Sequence, residues 1–122
     1  MKSVQLGEVE ARFADLIWDR APLPSSALVS LAADALGWKK STTYTVLKRL
    51  CDKGLFQNDG GTVRVVVGRD AYYGAQSEQF VEETFSGSLP AFLAAFTSRK
   101  KLTPQEVAAL KEMIDSYEED AP

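Results

Sequence analysis

Residues 38–67 constrain this chain more than any other stretch, because a helix is followed there at once by a β-hairpin. Val46, Leu47 and Leu50 recur at helical spacing and predict a buried face, while Thr42, Tyr44, Thr45, Lys48 and Arg49 are expected to project mostly outward. Ser41 is placed to cap the helix start through its hydroxyl. Gly54 is placed to end it, since glycine tolerates the left-handed conformation past a helix terminus.

The hairpin comes from two β-prone runs, Phe56-Gln57 and residues 62–67, around Asn58-Asp59-Gly60-Gly61, where Asp-Gly or Gly-Gly supplies the positive φ angles of a tight turn. Its second strand alternates, with Val63, Val65 and Val67 on one face and Thr62, Arg64 and Val66 on the other, so Arg64 leaves the core near the turn. A helix-turn-helix with a β-wing is the predicted architecture. Hydroxyls and cations on the outward helix face suit the base-edge acceptors and phosphate oxygens of a DNA major groove.

Upstream, Leu6, Val9, Phe13, Leu16 and Ile17 predict an amphipathic helix from about Gly7 to Asp19. Pro22 and Pro24 break the chain. A second helix is expected from Ser25 or Ser26 through Leu28, Leu31, Ala32 and Leu36 to Gly37, with a short link over residues 37–40. Trp18 and Trp38 are expected as core or near-core aromatics, and Cys51 as a small buried hydrophobe.

Past the wing, Asp70 could cap a helix carrying Tyr73, Phe80, Val81 and Phe85, interrupted at Gly87. Leu89, Phe92, Leu93 and Phe96 follow on a short helix. Thr103-Pro104-Gln105-Glu106 is a capping box with proline at the first helical position, and Leu102 and Val107 are placed for a hydrophobic staple. That helix should run through Leu110, Ile114 and Tyr117 to a solvated acidic end, Glu118-Glu119-Asp120. The chain thus reads as mostly α with a small β-wing: residues 1–70 a winged helix-turn-helix domain, residues 71–122 a helical dimerisation region. Fifty residues cannot bury that much apolar stripe among themselves, and a second copy is the simplest cover. Phe85, Leu89, Phe92, Leu93, Phe96, Leu110 and Ile114 are the residues expected to be shared.

A net charge of −3 looks wrong for a DNA binder until it is divided along the chain. Residues 39–69 hold seven cations against two acids, a net of +5, and residues 73–122 hold four against nine, a net of −5. Phosphate attraction can belong to one segment and self-association to the other. Lys39, Lys40, Lys48, Arg49 and Arg64 are candidate phosphate contacts, and Ser41, Thr42, Tyr44 and Thr45 complete the candidate DNA-facing set.

No run approaches the length of a membrane span, and the N-terminus lacks the apolar segment of a signal peptide. One cysteine excludes an internal disulfide, and a cytoplasmic protein is expected. With no histidine, no nucleophile–base arrangement and no paired carboxylates outside the acidic tail, neither an enzyme nor a cofactor is expected. One thiolate is too few ligands for a soft-metal or zinc site. The alternative from another class is a winged helix used as a protein-interaction adaptor without DNA, which fold alone does not separate.

Three segments carry a resemblance: Leu6-Gly7-Glu8-Val9-Glu10 leading to Leu16-Ile17-Trp18-Asp19, then residues 42–50 with Lys53-Gly54, then residues 85–96. In this order they resemble the penicillinase-repressor family of transcriptional regulators, the BlaI/MecI/CopY group, over nearly the whole chain. The resemblance implies a homodimeric repressor on palindromic operator DNA, with a winged helix and a helical dimerisation arm. In such families the signal often arrives through a membrane sensor and proteolysis, or through metal. Copper-responsive members carry a C-terminal cysteine cluster, whereas no cysteine follows Cys51 here. The segment resembling the cleavage region is Ala94-Ala95-Phe96-Thr97, with Ala95 where the family has asparagine before Phe96. Release by a sensor-linked protease, by a ligand or by a partner protein all stay open.

Overall fold

The computed structural model describes residues 5–120, with side chains through Glu118. The four N-terminal residues, on which the leader expectation partly rests, and the side chains of Glu119 and Asp120 in the acidic end lie outside the described residues.

The first helix, α1 (Glu8–Arg20), starts where the Gly7 N–H donates to Glu10 Oε1 at 3.2 Å, and its acidic first turn and basic last turn both suit the helix dipole. Phe13, Ala14 and Ile17 form its buried face. Pro22 and Pro24 do more than break the chain, because Leu23–Pro24 is a short strand, β1. It lies at the edge of a three-stranded antiparallel sheet of order β1-β3-β2, where proline costs the ladder least. This strand was not expected: two residues around prolines carry no alternation, and only the distant partner defines them.

Helix α2 (Ser25–Leu36) ends at Gly37 as expected, and a φ of +68° makes this glycine a left-handed cap. Helix α3 (Lys40–Asp52) follows after three residues. The hairpin pairs β2 (Phe56–Asp59) with β3 (Thr62–Val65), and Asp59 opposite Thr62 leaves a two-residue turn. Gly60 and Gly61 sit there at φ of +59° and +93°, a conformation that disfavours side chains with a Cβ. Register puts Leu23 against Val63, and Val63 is fully buried while Arg64, Val65 and Val66 are exposed.

One core gathers Phe13, Ile17, Leu28, Leu47, Leu50, Phe56 and Val63 from all three helices and the sheet. Fully burying each large side chain contributes about 1.5–3 kcal/mol. Both tryptophans pack at its rim as expected: Trp38 lies on Phe13 with ring centroids 4.9 Å apart, and Trp18 lies 5.5 Å from Phe56. The Trp18 Nε1–H donates to the Val67 carbonyl at 3.0 Å, which satisfies the indole and pins the strand exit.

Helix α4 (Arg69–Phe85) begins one residue before Asp70, so Asp70 stands in its first turn rather than capping it. Its buried aromatic is Tyr72, not Tyr73: the Tyr72 hydroxyl accepts the Leu6 N–H at 2.9 Å, and its ring lies 5.6 Å from Trp18. Two adjacent tyrosines fit either helical phase equally well, and only the position of α1 selects one. The first compact unit of the chain accordingly runs on to Gln79, and a second begins at Phe80.

That second unit holds the end of α4, then α5 (Leu89–Arg99) and α6 (Pro104–Asp120). The Ser88 hydroxyl caps α5 by accepting the Ala91 N–H at 3.1 Å. The capping box of α6 is formed in full: the Glu106 N–H donates to Thr103 Oγ1 at 3.0 Å and the Thr103 N–H to Glu106 Oε1 at 2.9 Å. The Thr103 backbone and hydroxyl bonds hold the Glu106 carboxyl below its ordinary value. A depressed carboxyl supports the helix start while ionised, so this support is complete near neutrality. It is lost as pH falls below the ordinary value of 4.5 and through the lower folded one. Cα chemical shifts of residues 104–107 should therefore move toward coil values in that acidic window. Shifts in Glu106→Gln, which has no carboxylate to titrate, should lack this step.

Candidate nucleic-acid interface

Helix α3 is oriented by its buried side, and that side is wider than expected. Thr43 is 0% exposed beside Val46, Leu47 and Leu50. Its hydroxyl donates back to the Lys39 carbonyl at 3.2 Å, which is how a polar side chain tolerates the core. The spacing 43, 46, 47, 50 carries this signal, but threonine's hydroxyl masks it in a hydropathy reading.

The start of α3 also differs from expectation. The Lys39 carbonyl accepts the Thr43 N–H at 3.0 Å, so Lys39 is the capping residue and Ser41 already lies inside the first turn. No side chain caps this end, and Ser41 instead offers its carbonyl to Thr45 Oγ1 at 2.9 Å. Lys39, Lys40, Ser41 and Thr42 consequently stand exposed around the open N-terminal turn, where unpaired N–H groups and the helix dipole favour anions. Thr45 is exposed one turn further on. Tyr44 is half-buried, its phenol 3.1 Å from the Ser25 hydroxyl.

The basic segment divides unevenly once its partners are known. Lys48 faces Asp52 at 3.4 Å, one turn along α3, with most of its side chain in solvent. Arg49 and Lys53 share Glu10 of α1, at 3.4 and 3.6 Å. Burial pushes the Glu10 carboxyl up, but the Gly7 N–H and the two cations outweigh it and hold the group below its ordinary value. Arg64 reaches Asp59 across the wing at 3.8 Å. Arg69, counted with the basic segment in the charge tally, contacts Asp19 at 2.6 Å and Asp15 at 3.1 Å and lies over the Trp18 ring, so it locks α4 to α1. Among the described residues, Lys39 and Lys40 are left with no ion pair. Exposed pairs such as Lys48–Asp52 contribute only about 0–1 kcal/mol, so such a cation can exchange carboxylate for phosphate readily. Doubly held Arg69 cannot.

The thiol of Cys51, on the same helix, is half-buried, and burial pushes its pKa up. Among the described residues no three His, Cys, Asp or Glu side chains converge on a metal site, and no helix is long and apolar enough to cross a membrane.

In the second unit none of the described residues from Phe80 onward is buried. Phe80, Phe85, Phe92 and Phe96 form a chain of ring contacts at 5.8–6.1 Å. Phe92, Leu93, Phe96, Leu102, Ala109 and Leu110 line a groove of about 320 Å³ between α5 and α6. Of the seven residues expected to be shared, Phe85, Phe92, Leu93 and Leu110 are half-buried, while Leu89, Phe96 and Ile114 are exposed. Ala95 lies with Phe96 inside α5.

Three helices closed by a β-hairpin, followed along the chain by a further helical unit, define a winged helix-turn-helix protein. The family model described as penicillinase repressor matches residues 6–116, and the chain belongs to that family of transcriptional repressors. It is 22% identical to the penicillinase repressor of Bacillus licheniformis over 122 residues, which take in 96% of this chain and 95% of the relative.

Proposed function

We infer that the protein is a homodimer that occupies palindromic operator DNA in the cytoplasm and excludes polymerase from it. The observation that carries this reading is the open first turn of α3, where Lys39 and Lys40 stand without acidic partners beside exposed Ser41 and Thr42. Inserted into a major groove, this end offers hydroxyls to base edges while the lysines meet the flanking phosphates. Lys48 and wing Arg64 add further phosphate contacts after leaving Asp52 and Asp59, whereas Arg49 reaches DNA only by giving up Glu10. The exposed apolar face of the second unit supports pairing with a second copy, which would put two α3 helices on half-sites spaced about 34–36 Å or a multiple apart.

Release of the dimer from DNA by a cut at Ala95–Phe96 would separate α6 from the rest of the unit. A scissile bond inside α5 must first unwind its helical turn, so the cut needs a protease that captures opened chain. Mass spectrometry of protein from induced cells distinguishes this from release of an intact chain by a ligand or partner.

DNA binding itself is tested by selecting duplexes from a randomised pool and titrating the winner at several salt concentrations. The expected result is a selected inverted repeat whose affinity falls steeply with salt, log K changing by about −0.9 per phosphate contact for each tenfold rise in salt. An adaptor that does not bind DNA would enrich no sequence.

A further inference from the structure

Ser25, the first residue of α2, touches both elements of the candidate reading surface. Its backbone N–H donates to the Gly61 carbonyl in the wing turn at 2.8 Å, and its hydroxyl lies 3.1 Å from the Tyr44 phenol on α3. Neither contact is incidental to the local structure. The N–H at the first position of a helix has no intrahelical acceptor, and the Gly61 carbonyl supplies one. A half-buried phenol needs a partner, and Ser25 supplies that too. The wing turn is set further by Asn58 Oδ1, which accepts the Gly61 N–H at 3.1 Å. Ser25 therefore bridges the wing turn and the reading helix, which also pack directly against each other through β2.

We propose that Ser25 is a positioning residue for sequence reading: its hydroxyl orients Tyr44 on α3 while its backbone anchors the wing turn. The inference rests on the DNA-binding reading of α3. With one hydrogen-bonding position of the phenol occupied by Ser25, a Tyr44 hydroxyl presented to the groove would have a fixed direction and a reduced choice of base partners. A freely turning phenol would accept more sequences. Ser25 itself does not have to touch DNA for this effect.

The two roles separate by mutation, because Ser25→Ala removes the hydroxyl and leaves the backbone bond to Gly61. In the full chain, this variant should lose about threefold to tenfold in preference for the selected duplex over a mixed-sequence duplex, the scale of one net hydrogen bond. Mixed-sequence affinity should stay at the wild-type value, while the thermal midpoint falls by the few degrees expected of one lost hydrogen bond. Tyr44→Phe should lose a similar preference, and the double variant should lose little more than either alone, since both remove one shared bond. Ser25→Thr, which keeps the hydroxyl, should restore the preference. Wild-type preference in Ser25→Ala, or additive losses in the double variant, would overturn the assignment of Ser25 while leaving DNA binding standing. Failure of the wild-type chain to enrich any duplex would overturn the DNA reading, and this inference with it.

Discussion

Replacing Phe92 with alanine should convert the protein to a monomer at micromolar concentration and collapse its affinity for an inverted-repeat operator. Phe92 is the hub of the second unit, within 5.8–6.1 Å of the rings of Phe80, Phe85 and Phe96, and it lines the groove between α5 and α6. Truncating a large buried aromatic costs about 3–5 kcal/mol. A two-fold dimer carries the change twice. Because Phe92 is only half-buried within one chain, part of that loss falls on the contact with the second copy, and a rise in the dimer dissociation constant of about 100-fold or more is expected. Operator affinity then falls because the second half-site is no longer tethered at high effective concentration. Both tryptophans, Trp18 and Trp38, lie in the first unit, so their fluorescence should report a winged helix still folded. Sedimentation equilibrium decides the matter: a Phe92→Ala chain that remains dimeric removes this face from the interface.

The second large effect is expected at the start of α3. Changing Lys39 and Lys40 together to alanine should lower operator affinity on the order of 100-fold at about 0.1 M salt, and should flatten the salt dependence by up to about two units. These two cations have no carboxylate to leave behind, so their full charge is available to phosphate. Arg69→Ala is the contrasting control. It should leave the salt slope unchanged while lowering thermal stability, since Arg69 is engaged by Asp15, Asp19 and the Trp18 ring. An unaltered slope in the double lysine variant would place DNA elsewhere on the surface.

Much of this arrangement was legible because it is written in local patterns. The buried face of α3, the glycines of the wing turn and the capping box at Thr103 each depend on residues a few positions apart. Three features depend on distant partners and were not legible. β1 exists only because β3 pairs with it, and the choice of Tyr72 over Tyr73 is made by α1. Arg69 looks like any other cation of the basic segment until Asp15 and Asp19, some fifty residues earlier, are brought beside it. The helix start at Lys39 rather than Ser41 has a different cause. Thr43 needs its carbonyl partner four residues back in order to be buried, and that need moves the helix boundary toward the N-terminus. The candidate DNA-facing residues follow the same division: the exposure of Thr42, Thr45, Lys48 and Arg49 is local information, while the half-burial of Tyr44 against the core and which cations remain unpaired are not.

The absence of any buried residue among those described after Gln79 also bears on how gene dosage would act. Such a unit has little independent reason to stay folded, so for an obligate dimer its stability becomes a function of protomer concentration. At low copy number the helical arm would open and become accessible to housekeeping proteases before it could assemble. As copies accumulate, pairing would shield it, and molecular lifetime would rise together with operator occupancy. The repressor level in a cell would then respond more steeply than linearly to its own synthesis, a threshold built from unsatisfied apolar surface alone.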